Sequence, residues 1–359
     1  MTAGRAFWVF VAACLAALVV IIGQSYLTYR AVVRVDAPDT IAALPASHMA
    51  MLAAEMSQAT SQAAPTPLDY PHYTTVARAD AMLDATERVF LIENDSGGTV
   101  FPIRSLLACE IVNTTIEGRP ATMSYCAASD AAVAYWNSLP GLTTSFVPTR
   151  IYVDRNLVIR DRATGTVWSQ LLGIALRGHL AGLSLQRIPV IPTTWARVRA
   201  NYPDALVLTA GLTSAPAAGG PSMPSLPDKH LVPLGNDDRL SPSQPVVAMM
   251  AGDQAAAVPR EAVLVRRVVS IDAGNKHLVA IADPKLAAVR VFDRDMDGST
   301  VMLDAVAGMI VDRTTRSVWD EHGRAVSGPL RGLRLRSVVS VDCVWSAWSA
   351  FFPNSTVFK

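Results

Sequence analysis

The chain begins with one unbroken apolar run and then changes character. Phe7 to Ile22 is sixteen apolar residues without a charge, and Gly23 to Leu27 can extend it. At about 1.5 Å per residue the extended segment roughly spans a hydrocarbon core, so the pattern predicts a transmembrane anchor over residues 1–29. A cleaved leader or a lipoprotein signal fits less well. The run continues past Cys14, where a lipobox cysteine would end it, and no small-x-small cleavage site follows closely. Arg5 lies before the run and Arg30 and Arg34 after it, so basic residues do not fix its orientation. A short stub ahead of a long remainder favours export of that remainder, as a single-pass protein of the cell membrane.

Residues 30–69, rich in Ala, Pro, Ser, Thr and Gln, read as a tether, with a short helix at Met49 to Ala59. The pattern then turns to short strand-like runs. Thr75 to Thr86 reads as helical. Arg88 to Ile92 and Thr99 to Phe101 form a predicted hairpin about Ser96-Gly97-Gly98. Pro102 opens a helix predicted to reach Asn113, at a position where its missing N–H costs little. Pro120 to Cys126 and Ala131 to Trp136 are strand-like, and Thr194 to Tyr202 reads as a helix that ends before Pro203. Residues 212–245 carry two Pro/Ser/Gly-rich stretches and read as a linker. From Val246 the pattern restarts: strand, a helix after Pro259, then strands at His277 to Ala282 and Ala287 to Phe292.

That restart is a repeat. Asp161, Arg162, Thr164, Val167 and Trp168 pair at constant offset with Asp312, Arg313, Thr315, Val318 and Trp319. After the loss of one residue, Gly173, Gly178, Gly182, Leu185, Trp195 and Pro203 pair with Gly323, Gly328, Gly332, Leu335, Trp345 and Pro353. Tryptophans matched at both ends make an internal duplication the expected origin. The predicted fold is therefore β-rich α+β in two pseudo-equivalent halves, residues 70–211 and 246–359. Retention of Asp161, Arg162, Thr164 and Trp168 in both halves points to a folding role. Asp and Thr bond turn backbone, while Arg stacks on Trp or pairs with Asp.

Composition adds boundaries rather than chemistry. Hydrophobic residues are 51% and charged ones 17%, ample for a core, and a net charge of +1 gives no electrostatic case for nucleic acid. Of four cysteines, Cys14 lies in the apolar run, which leaves Cys109, Cys126 and Cys343, an odd number unlike a disulfide scaffold. Glu110 falls on the apolar stripe of Ile103, Leu106, Leu107 and Ile111 in the predicted helix, where a carboxylate needs a partner. Cys109 on that helix and Cys126 at the end of the next strand are candidates, with Glu110, for a thiol site or an incomplete zinc or copper set. They read equally as small buried hydrophobes. Asp293, Asp295, Asp297 and Gly298, with Asp304 twelfth, imitate a calcium loop, yet the flanking strands predict a hairpin.

The runs Phe101 to Asn113, Gly118 to Cys126 and Arg160 to Pro189, with Trp195 and Tyr202-Pro203-Asp204, resemble a bacterial domain-of-unknown-function family, number 3179. The resemblance is strong over about residues 70–209 and extends, degenerately, through the second half. The family pattern has a His-Glu pair in the helix and a Tyr-Cys-Pro-Leu-Cys run after the following strand, which implies thiol redox or soft-metal chemistry. Here Cys109 stands where the pattern has His, and Ser129 where it has the second Cys. Glu110 and Cys126 alone carry over. Two functions follow as expectations: a non-catalytic binding or scaffold module outside the cytoplasm, and, as the alternative, a thiol or metal site on Cys126, Cys109 and Glu110.

Overall fold

The computed structural model describes residues 64–212 and 237–359, apart from Pro140, Asp154 and Asp297. The expected anchor at residues 1–29, the tether with its Met49 to Ala59 helix, and most of the 212–245 linker lie outside them. Among the described residues no helix is long and apolar enough to cross a membrane. The described residues are β-rich with five short helices: α1 (Val76–Ala79), α2 (Ile103–Cys109), α3 (Trp195–Asn201), α4 (Arg260–Arg266) and α5 (Trp345–Phe351).

Among the described residues each half carries three larger sheets and a two-stranded one in corresponding order, the first half having one extra edge strand, Tyr73–Thr75, in its first sheet. In the first half, Arg88–Ile92 and Thr99–Pro102 pair as the expected hairpin, flanked by Ile191–Thr194 on one side and, in parallel, Leu206–Leu208 on the other. In the second half, Pro245–Ala251 and Gln254–Pro259 take the same places, between Ser340–Val344 and the parallel strand Thr356–Val357. A meander follows in both. Ile111–Ile116, Arg119–Cys126, Ala131–Trp136 and the edge strand Arg187–Ile188 correspond to Val268–Ala273, Lys276–Asp283, Ala288–Asp293 and Arg336–Ser337. The third sheet, begun by Phe146–Val153 and Asn156–Asp161, corresponds to the one begun by Leu303–Val306 and Met309–Asp312. Two glycines show how closely the halves match. A Cβ on Gly173 (φ +68°) would lie 2.5 Å from the Tyr135 ring, and one on Gly323 (φ +70°) would lie 2.8 Å from Phe292. Only glycine accepts both the contact and the positive φ.

Several boundaries move. The helix expected from Thr75 to Thr86 shrinks to α1, because Asp80 at its end accepts from Trp195 Nε1 (2.9 Å) and pairs with Arg199 (2.7 Å), which turns the chain there. The helix expected to reach Asn113 ends at Cys109. Glu110 takes a left-handed conformation (φ 58°), and the β-branched run Ile111–Ile116 continues as a strand. Leu68 and Asp69, expected within the tether, belong to the folded body: Leu68 bonds Ile111 and Asn113 backbone and Asp69 pairs with Arg162 (2.8 Å). The linker ends before residue 245. Arg239 donates to the carbonyls of Ser355 (2.5 Å) and Pro353 (2.6 Å) and stacks over Trp345. The calcium-like segment is a hairpin, Asp295–Met296 pairing with Ser299–Thr300.

The halves meet through a shared core. One apolar cluster joins Val133, Phe146, Leu157 and Trp168 of the first half to Val246, Val341, Trp345, Trp348 and Phe351 of the second. Backbone and side-chain bonds cross the seam as well. Val344 N–H donates to Ser129 O (2.9 Å), and Thr193 Oγ1 donates to Leu286 O (2.6 Å). Arg197 donates to the carbonyls of Pro284 (2.7 Å) and Lys285 (3.0 Å).

Candidate functional site

The repeated Asp-x-x-Thr unit is a turn lock. Asp161 accepts from Thr164 N–H (2.6 Å), from Thr164 Oγ1 and from Trp168 Nε1 (3.0 Å). Asp312 does the same with Thr315 N–H (2.7 Å) and Oγ1 (2.6 Å). Burial opposes ionisation of Asp312, but these bonds outweigh it and hold the carboxyl below its usual range. Of the two roles expected for the arginines, the structure shows the pairing: each pairs with an aspartate outside its own turn, Arg162 with Asp69 and Arg313 with Asp304. In both cases the neighbouring Asp161 or Asp312 is already saturated by its own turn.

The structure places the two candidate cysteines in separate apolar clusters, with Glu110 adjoining Cys109. Cys109 packs in the cluster with Phe101, Leu106 and Val112, and its Sγ donates to Ser105 O (3.2 Å). Cys126 packs in the seam cluster and donates to Arg155 O (3.7 Å). Both are free thiols, as is Cys343. Burial pushes the Cys109 thiol up to about 11 and pushes Cys126 and Cys343 up as well, the direction that disfavours a thiolate nucleophile. Glu110 is buried as expected, but at the end of α2 rather than on its stripe. Its N–H donates to Leu106 O (2.7 Å), and its carbonyl accepts from Tyr125 N–H (3.0 Å). Among the described residues no group of three or more His, Cys, Asp or Glu side chains is arranged to hold a metal ion.

Behind Cys126 lies a buried polar network confined to the first half. Asn156 Nδ2 donates to Gln170 Oε1 (3.0 Å), and Asn156 Oδ1 accepts from Ser169 Oγ (3.1 Å) and Leu171 N–H (2.8 Å). Gln170 Nε2 donates to the carbonyls of Ser124 and Ala131, and Tyr135 OH donates to Gln170 O (2.8 Å). These bonds fix the loop after Trp168 against the meander. Such a network, once satisfied, rigidifies the wall it forms.

The braced strand also lines, at Ala132 and Val133, a cavity of about 320 Å³ at the seam, within the size range of small-molecule sites. Its sides are β-branched residues, among them Val190, Ile191, Val291 and Val339, and its charged groups are Arg187, Arg290, Arg334, His322, Glu93 and Asp342. Most of this charge is paired. Arg290 clamps both oxygens of Glu93 (2.8 and 2.7 Å) and reaches Asp283 (3.3 Å). Burial opposes ionisation of Glu93, but Arg290, with the Tyr202 hydroxyl, outweighs it and holds that carboxyl below the usual range. Asp342 is held above it, because burial exceeds the pull of Arg260 at 2.8 Å.

Arg187 differs. It is 7% exposed, lies over the Tyr135 ring (5.3 Å) and donates from one terminal nitrogen to Leu171 O. Among the described residues no carboxylate pairs with it, and its buried Nε has no partner. Burial lowers its pKa. The sequence held a signal for this residue: Leu183, Leu185 and Arg187 alternate on one buried face while Gln186 is exposed. Read as a strand, the segment places an arginine inside.

A family model described as a protein of unknown function (DUF3179) matches residues 65–355, most of the chain, and the chain belongs to that family. No curated protein and no solved structure matches it.

Proposed function

We propose that this member of the family is a non-catalytic binding module, carried on a membrane by its N-terminal apolar segment with the folded body outside the cytoplasm. The observation that carries the binding reading is the seam cavity, where β-branched walls and convergent charged groups surround a space of small-molecule size. We read the matched sheets of the two halves as an internal duplication, in which the second half serves to close that space. Val289, Val291 and Val338 come from it, facing Ile188 and Val190 of the first. The thiol or metal alternative has less support, because Cys109 and Cys126 sit in separate clusters with raised thiol pKa values. Anchoring rests on the Phe7 to Leu27 run alone.

The test is a ligand screen on the full chain in detergent, read by thermal shift and by ligand-detected NMR. Ser337, exposed and lining the cavity opposite Phe292, supplies a blocking variant, Ser337→Trp. Fragments are expected to bind wild type and to lose binding in Ser337→Trp. A screen whose hits all survive the block would contradict the reading.

A further inference from the structure

Within that binding-module reading, on which this inference rests, we propose that Arg187 is the docking point for the carboxylate of a small aliphatic monocarboxylic acid. The ligand's hydrocarbon part lies along the valine-rich walls of the seam cavity. A guanidinium withdrawn from water requires a counter-charge or a full set of acceptors. Arg187 has one backbone carbonyl and an aromatic face, no carboxylate among the described residues, and a buried Nε without an acceptor. The half-buried cation of the cavity, Arg290, is satisfied by Glu93 and Asp283. Asp342 is matched by Arg260. One buried positive charge therefore remains, beside a cavity large enough for a ligand.

Valence follows from the same count. Arg334 and His322 also line the space but are exposed and solvated, and Glu93 and Asp342 disfavour a doubly charged phosphate beside the buried Arg187. A single carboxylate balances it, and a guanidinium edge suits its two oxygens. The body of the ligand is set by the walls. Val190, Ile191, Val291 and Val339 supply apolar surface for an aliphatic chain, within a lining that also carries Ser337, Ser340 and the charged groups. The second half shows the assignment is local. At the position equivalent to Arg187 it has Ser337, opposite Phe292 as Arg187 is opposite Tyr135.

The probe is sodium hexanoate, titrated calorimetrically into the detergent-solubilised full chain, with hexanamide as the uncharged isostere and inorganic phosphate as the competing anion. Wild type is expected to bind hexanoate saturably, near about 1 mM for a ligand of this size. Hexanamide and phosphate are each expected to bind at least about tenfold more weakly, the loss of one charge-assisted contact. Arg187→Met keeps the stem and removes the charge, and should weaken hexanoate by about tenfold or more. Arg187→Lys, which retains a charge and guards against a folding defect in the first variant, should retain part of the affinity. Equal binding of hexanoate and hexanamide, preference for phosphate, or full hexanoate affinity in Arg187→Met would overturn the proposal. Neutral fragments run alongside separate the two failures. If they bind in a manner that Ser337→Trp removes while hexanoate does not bind, the carboxylate assignment falls and the cavity stands. If nothing binds, both fall.

Discussion

Trp345→Ala is expected to destabilise the protein by about 3–5 kcal/mol, the range for removing a large buried aromatic side chain. Trp345 is 1% exposed and belongs to the cluster that contains both halves. Its N–H donates to Gln244 O (2.8 Å), and Arg239 lies over its ring at 4.9 Å, so it also fixes the segment that enters the second half. The loss therefore falls on the seam rather than on one sheet. Urea unfolding followed by circular dichroism checks the magnitude. A change below about 1 kcal/mol, ordinary for a surface substitution, would mean the seam is not a packed core.

The second large effect is expected at Arg290. Arg290→Met leaves Asp283, which is 2% exposed, and Glu93 without their shared cation, and breaking a buried pair from one side costs about 3–5 kcal/mol. The pH dependence has a definite sign. In wild type the Glu93 carboxyl is held below its usual range, so its contribution is present above the unfolded value of about 4.3 and is lost as pH falls through the folded value. In Arg290→Met burial acts without the cation and pushes the same carboxyl up, so protonation relieves the variant. The stability gap between wild type and Arg290→Met should thus be widest near neutral pH and narrow towards pH 4. Urea midpoints taken across that range measure it, and a constant gap would remove Glu93 from the account.

Much of the first-order architecture was legible because it is local. The Arg88–Ile92 and Thr99–Pro102 hairpin, the Ala131–Trp136 strand and the helix after Pro259 follow from alternation and from proline and glycine placement. The α2 boundary was not legible in this way. Glu110 continues a helical stripe in sequence, and what stops the helix is its left-handed backbone together with the pairing of Ile111 with Ser124 on the next strand. A similar limit applied to the site. Cys109 and Cys126 are separated by one strand in sequence, yet they pack in different clusters. Arg187, Glu93 and Arg290 are distant in the chain and meet only because the halves pack together. Local pattern can put Arg187 on a buried face; it carries no information about the valines from the other half that complete the cavity.

The seam makes one body of the two halves and so creates the cavity. Scanning calorimetry of the full chain, wild type beside Trp345→Ala, tests this most directly. A shared core predicts one unfolding transition of the folded body, with calorimetric and van't Hoff enthalpies in agreement, displaced as a whole in the variant. Two transitions in wild type, or one half melting unchanged in Trp345→Ala, would show that the halves unfold independently and would contradict it.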